Sequence, residues 1–211
     1  MYQLSKILAG LMLLCSQMAS AGVYEDMVRA IDLGDERAVA ALLKRGVDVD
    51  TVGPTGESLL MLAAKQGNAN LVKTLITARP RLNVRNAYGE TAVMLATFQG
   101  HTEVVRHLLA QGAEINNTGW TSLIYAATRN RMDIARILIG YGAQVNAQAA
   151  NGTTALMMAA REGHLPMVLL LMEYGADINH KSPAGYSALG MARDQGRKEV
   201  IEVLVRAGAT D

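Results

Sequence analysis

One short apolar phrase recurs five times along the chain. Ser58-Leu59-Leu60-Met61-Leu62-Ala63-Ala64 returns as Thr91-Ala92-Val93-Met94-Leu95-Ala96 and as Thr121-Ser122-Leu123-Ile124-Tyr125-Ala126-Ala127. It returns again as Thr154-Ala155-Leu156-Met157-Met158-Ala159-Ala160 and last as Ser187-Ala188-Leu189-Gly190-Met191-Ala192. The leading hydroxyl residues stand 33, 30, 33 and 33 residues apart. A beat of that length marks an array in which each unit buries its apolar face only against its neighbours. It constrains the fold before any single residue is read, and it points towards a binding surface rather than an enzyme.

Each unit has a second half as regular as the first. A Gly follows the apolar phrase in Gln66-Gly67-Asn68, Gln99-Gly100-His101, Glu162-Gly163-His164 and Gln195-Gly196-Arg197, with Asn130 in its place in the fourth unit. Asn is the next-best residue for a left-handed turn. Then come Leu71-Val72 with Leu75-Ile76, Val104-Val105 with Leu108-Leu109, and Ile134 with Leu138-Ile139. The same pattern gives Met167-Val168 with Leu171-Met172, and Val200-Ile201 with Leu204-Val205. Such i, i+1, i+4, i+5 spacing is one face of a helix. It stops at Gly112-Ala113, Gly142-Ala143, Gly175-Ala176 and Gly208-Ala209, where Gly suits a helix end. An extended Ile115-Asn116, Val145-Asn146 or Ile178-Asn179 leads to the next unit. The unit therefore reads as helix, Gly turn, antiparallel helix, Gly stop and finger. Isolated helices below ~12–15 residues are marginal in water, so stability must come from stacking. With 50% apolar and 4% aromatic residues, the core has to be Leu, Val, Ile, Ala and Met.

The unit resembles the ankyrin repeat, whose signature runs Gly-x-Thr-Pro-Leu-His-x-Ala, then Gly-His, then Leu-Leu-x-x-Gly-Ala-x-x-Asn. Thr91, Gly100-His101, Leu108-Leu109, Gly112-Ala113 and Asn116 carry the resemblance in the third repeat, and Thr154, Gly163-His164, Gly175-Ala176-Asp177 and Asn179 in the fifth. It implies an all-α solenoid of about six helix-turn-helix units with short β-hairpin fingers. The units are expected at 23–52, 53–85, 86–116, 117–148, 149–181 and 182–211, within one domain spanning 22–211. The first and last are polar, as solenoid ends must be.

Two departures from the family pattern stand out. The signature His is replaced by Met61, Met94, Ile124, Met157 and Gly190, and the signature Pro by Leu59, Ala92, Ser122, Ala155 and Ala188. Apolar packing is expected to substitute, with the Met residues in the core. The other departure is spacing. Asn116 to Thr121 is five residues, whereas Asn146 to Thr154 is eight. The finger between the third and fourth repeats should be stunted, leaving a notch.

The first 21 residues read differently. Lys6 is their only charge, Ile7 to Cys15 is a short apolar run, and Met18-Ala19-Ser20-Ala21 supplies small residues for a signal peptidase. This is the layout of a secretory signal cleaved after Ala21, and a periplasmic or secreted protein is expected. The apolar run is too short for a spanning helix, which needs ~20 residues, so no stable membrane anchor is expected after cleavage. Met12-Leu13-Leu14 before Cys15 does not suit lipidation. Loss of residues 1–21 removes Lys6 and the only Cys, leaving 19 basic and 19 acidic side chains. That balance argues against nucleic acid as a partner.

Catalysis needs titratable groups converging on one pocket, and none is evident. His101 and His164 belong to the helix start, His107 to a solvated helix side, and His180 to a finger. No His or Cys spacing suits a metal, no Gly-rich phosphate loop occurs, and no cofactor is expected. Asn116-Asn117-Thr118 and Asn151-Gly152-Thr153 fit a glycosylation pattern but fall at finger turns.

In ankyrin arrays the concave face is lined by finger tips and by the first helices just after their Ala-Ala step. Here those places carry Tyr88, Glu90, Trp120 and Tyr186 on the tips and Phe98, Arg129 and Arg161 on the helices. The only Trp and the only Phe both fall in this set. Aromatics and Arg dominate binding hot spots. These seven residues are therefore the candidate patch for another protein, bound by a monomer. Alternatively, Phe98 and Trp120 only cover the gap left by the short finger. The function expected is a non-catalytic, exported interaction module; an inhibitor, immunity or accessory factor of an exported enzyme or toxin is the narrower alternative. An enzyme in its own right would instead show Arg129, Arg161 and Glu162 around an enclosed cavity.

Overall fold

The computed structural model describes residues 22–210, so the expected signal segment lies outside the described residues. Twelve helices run in six antiparallel pairs, and no strand occurs among the described residues. Residues 22–32 form α1. It is followed by α2 (Glu36–Lys44), α3 (Leu59–Gln66), α4 (Ala69–Thr77), α5 (Ala92–Gln99), α6 (Thr102–Ala110) and α7 (Ser122–Thr128). Next come α8 (Met132–Gly140), α9 (Ala155–Glu162), α10 (Leu165–Glu173), α11 (Ala188–Asp194) and α12 (Lys198–Arg206). The odd helices α3, α5, α7, α9 and α11 pack side by side in one layer, and the even helices α2 to α12 in another.

The recurrent phrase is the core of the first layer. Its hydroxyl residue opens each odd helix: Ser58, Thr121, Thr154 and Ser187 accept a hydrogen bond from the amide three residues on, at 3.0–3.3 Å. Such N-caps are worth ~1 kcal/mol each. The residues that replace the signature His are buried at Met61, Met94, Ile124 and Met157, and the Thr91 amide donates to the Met94 sulfur at 3.4 Å. The Ala pairs 63–64, 126–127 and 159–160 are fully enclosed. With only a methyl at these positions, neighbouring odd helices can approach closely. The even helices are amphipathic: Leu71, Val72, Leu75 and their counterparts face inward, while Leu169, Tyr174 and Val205 remain half-exposed.

Two side-chain ladders lock the stacking register. At the start of the even helices His101, Arg131, His164 and Arg197 reach back to the end of the odd helix in the preceding repeat. They donate to the carbonyls of Lys65, Gln99, Thr128 and Arg161 at 2.8–3.2 Å. A carbonyl only accepts, so His101 and His164 carry their proton on Nε2. The second ladder is made of Asn. Asn116 donates to the Gly142 carbonyl and accepts from the Gln144 amide, at 2.9 and 2.8 Å. Asn146 does the same with Gly175 and Asp177, and Asn179 with Gly208 and Thr210.

The fingers are tighter than a hairpin of strands. Backbone bonds from Gly53 to Glu57, Asn86 to Glu90, Ala149 to Thr153 and Ser182 to Tyr186 close them at 2.9–3.0 Å, each with a second bond inside the turn, such as Gly56 to Gly53. Only Val52 with Ser58 and Lys181 with Ser187 form isolated bridges. Residues 116–120 have only bends where the other fingers have turns. Asn117 is buried there, and neither polar atom of its amide has a hydrogen-bond partner.

Most repeats turn the chain out of the even helix with a left-handed Gly, as at Gly112 and Gly142. The second repeat instead holds Arg79 at φ 55°, directly before Pro80, and Asn130 holds φ 52° in the other turn. A side chain in this region costs about 1–2 kcal/mol, partly offset by the greater backbone entropy that Gly loses on folding. Arg79→Gly is expected to raise stability by roughly 0.5–1 kcal/mol, and Asn130→Gly by less, because Asn tolerates the left-handed region better. Urea unfolding midpoints check both; an unchanged or lowered midpoint for Arg79→Gly would contradict the assignment of strain.

Candidate functional site

The short finger leaves an opening between its neighbours. A pocket of about 500 Å³ lies there. One wall is the finger of the third repeat, at Tyr88, Gly89 and Glu90; the opposite wall is the finger of the fifth, at Ala150 and Asn151. The short finger contributes Thr118, Gly119 and Trp120, and the first helices α5 and α7 contribute Met94 and Tyr125. The three missing residues thus leave an open pocket between the neighbouring fingers.

Tyr125 organises this site. Its ring meets Trp120 at 5.4 Å between centroids and Phe98 edge-on at 5.5 Å. Both separations lie in the range of favourable aromatic pairs. The Arg129 guanidinium lies over the Phe98 ring, 4.2 Å from its centroid. The four side chains form one connected cluster across the third and fourth repeats. The Tyr125 hydroxyl donates to Glu90 Oε1 at 2.9 Å, and Asn86 Nδ2 donates to Glu90 Oε2 at 2.9 Å. Asn86 Oδ1 accepts in turn from the amides of Tyr88 and Glu90, at 3.0 and 2.9 Å. The carboxylate is therefore fixed by neutral donors on both oxygens. Burial and the neighbouring Glu90 carboxylate push the Tyr125 phenol well above its ordinary pKa, so it stays a donor.

The sequence-derived candidates divide into two groups. Tyr88, Glu90, Phe98, Trp120 and Arg129 belong to the pocket and its aromatic cluster. Tyr88 is 80% exposed and Trp120 37%, so both present ring surface to solvent. Arg161 and Tyr186 lie elsewhere, in a shallow depression with Met191, Asp194 and Gln195. Arg161 is 4.0 Å from Glu162. Neither Arg129 nor Glu162 is among the residues that line that depression. Tyr125 was not singled out by the sequence because it occupies a scaffold position, filled by Leu62, Leu95, Met158 and Met191 in other repeats. The signal that could have found it is the one hydroxyl in that apolar column.

Among the described residues no group of His, Cys, Asp and Glu could hold a metal ion, and no helix is long and apolar enough to cross a membrane. His107 pairs with Glu103 at 3.2 Å, and His180 bonds the Gly152 carbonyl of the previous finger at 2.9 Å.

Removing the Tyr125 hydroxyl tests how the cluster is held. Tyr125→Phe is expected to cost about 1 kcal/mol at neutral pH, the net worth of a partly solvated bond to a charged acceptor. The phenol's folded pKa is raised, so its stabilisation is present below the unfolded value near 10 and is lost as pH rises above it. The parent's higher urea midpoint should therefore shrink towards that of Tyr125→Phe, and then fall below it, as pH rises past ~10. A parent advantage that stays constant or grows there would contradict the bond.

The model of ankyrin repeats (3 copies) matches residues 27–118, 60–149, 108–182 and 142–211, overlapping placements that together take in almost all of the described chain. No curated protein matches the chain closely enough to be called similar. The paired short helices, the Gly turns and fingers, and the family match lead to one conclusion: the chain belongs to the ankyrin repeat family, whose members are interaction modules.

Proposed function

We propose that this chain is an exported, non-catalytic protein-binding module. Its partner docks across the face made by the fingers and first helices, centred on Tyr88, Phe98, Trp120 and Arg129. The observation that carries the reading is the connected aromatic cluster beside the pocket at the short finger. A solvated face gains nothing from exposed rings, whereas a partner that buries them gains area, stacking and a guanidinium already desolvated on one side. Ankyrin repeats support a protein partner in general terms. Export rests on the leader-like composition of residues 1–21, and monomeric behaviour on the polar outer residues of the terminal helices, such as Lys198, Glu199 and Glu202. The narrower reading is an exported enzyme or toxin as the partner, which this chain restrains or assists.

The test is retrieval of partners by the full chain and by a Phe98→Ala, Trp120→Ala double variant, with circular dichroism to confirm equal folding. The parent is expected to retrieve a partner that the double variant binds at least tenfold more weakly, about 1.4 kcal/mol or more. Protein recovered from the periplasm should begin at Gly22 by mass. Equal retrieval by both chains would remove the patch from the account, and a chain retaining Met1 in the cytosol would remove the export.

A further inference from the structure

Among the described residues Glu90 is the only charged one lining the pocket at the short finger, and no Lys, Arg or His lines it. Both carboxylate oxygens are held by neutral donors, Tyr125 and Asn86, which fix the group without cancelling its charge. An ionised carboxylate has about four acceptor sites, so these two bonds leave room for more. Two arginines stand at the border of the pocket with other partners: Arg129 lies over Phe98, and Arg85 donates to the Thr118 carbonyl at 3.3 Å. The aromatic residues Tyr88, Trp120 and Tyr125 line the same pocket as Glu90, and the Tyr125 hydroxyl touches its carboxylate. A fixed negative charge in a pocket that also carries aromatic side chains favours a cation, by ion pairing and by cation–π attraction. Flat rings beside a carboxylate suit a planar guanidinium better than a compact ammonium. The same aromatic cluster already holds one guanidinium at Phe98.

We infer that the pocket between the third and fifth fingers receives an arginine side chain of the protein partner, with Glu90 as its anion and Trp120 and Tyr88 as its stacking surfaces. This deepens the protein-binding reading given above and rests on it. It also assigns the short finger a purpose, since a finger of the usual length would occupy the space between its neighbours.

Trp120 is the only Trp, so its fluorescence reports occupancy directly. The full chain is titrated with N-acetyl-arginine amide, with the uncharged citrulline analogue, and with N-acetyl-lysine amide. The arginine amide is expected to give a saturable change in Trp120 emission that weakens at least tenfold in Glu90→Gln. The citrulline analogue should be at least tenfold weaker on the parent chain. Tyr88→Ala, at a residue exposed enough not to disturb folding, should weaken the arginine amide severalfold. No saturable change, or equal response to the citrulline analogue, would overturn the inference. So would an unaltered response in folded Glu90→Gln or, if that variant fails to fold, in Tyr88→Ala. Equal response to the lysine amide would overturn the guanidinium assignment. If a partner is retrieved equally by the parent, Glu90→Gln and Tyr88→Ala, yet lost with Phe98 and Trp120, the arginine pocket fails while the protein-binding reading stands.

Discussion

Every helix in this chain depends on its neighbour for burial. The described helices from α2 onwards are 7–9 residues long, below the length at which a helix holds itself in water. What holds them is the enclosed row of Leu, Met and Ala in α3, α5, α7, α9 and α11, each packed against the same row in the next repeat. Burying one Leu or Met contributes about 1.5–3 kcal/mol, and each repeat buries several across a shared seam. The seam leaves little tolerance in register, because a slip would set a larger side chain against the Ala-Ala step.

The two ladders explain why one finger could shorten without disturbing this stacking. Asn116 makes the same clamp on the next repeat as Asn146 and Asn179 do, although three fewer residues follow it before the next helix. The Arg131 bond to the Gln99 carbonyl likewise keeps α8 seated on α5 across the irregular junction. The deletion is therefore absorbed at the tip alone. There it leaves Asn117 buried without a hydrogen-bond partner and opens the space in which Trp120, Tyr125 and Glu90 meet. An unpartnered buried amide costs about 1–3 kcal/mol. Cost of this kind gathers at functional sites more often than at scaffold positions.

The scaffold was legible in the sequence because its residues repeat. The enclosed Met residues, the Gly turns and the left-handed Asn130 all follow from periodicity and local chemistry. The short finger was legible as a break in the same period, and with it Tyr88, Phe98 and Trp120. Tyr125 was not, since a tyrosine in an apolar helical column looks like any other core residue until its hydroxyl is seen to reach Glu90 in the preceding repeat. The separation of Arg161 and Tyr186 from the pocket was equally hidden: repeat position places a residue on a face, but it does not say which repeats close around one space. Arg79 escaped notice because its repeat ends in Arg-Pro instead of the Gly-Ala that announces the turn elsewhere.

The central claim is that the shortened finger makes the binding site. It is tested most directly by restoring that finger, inserting Ala-Gln-Ala, as found at Ala147-Gln148-Ala149, between Asn117 and Thr118. The measurement is the affinity of the variant for the partner that the parent chain retrieves, with its urea midpoint as the control. Affinity is expected to fall at least tenfold while stability stays equal or rises, because the pocket is filled and the stacking seam is untouched. Undiminished affinity in the restored chain would contradict the account and leave the short finger as a scaffold variation with no part in recognition.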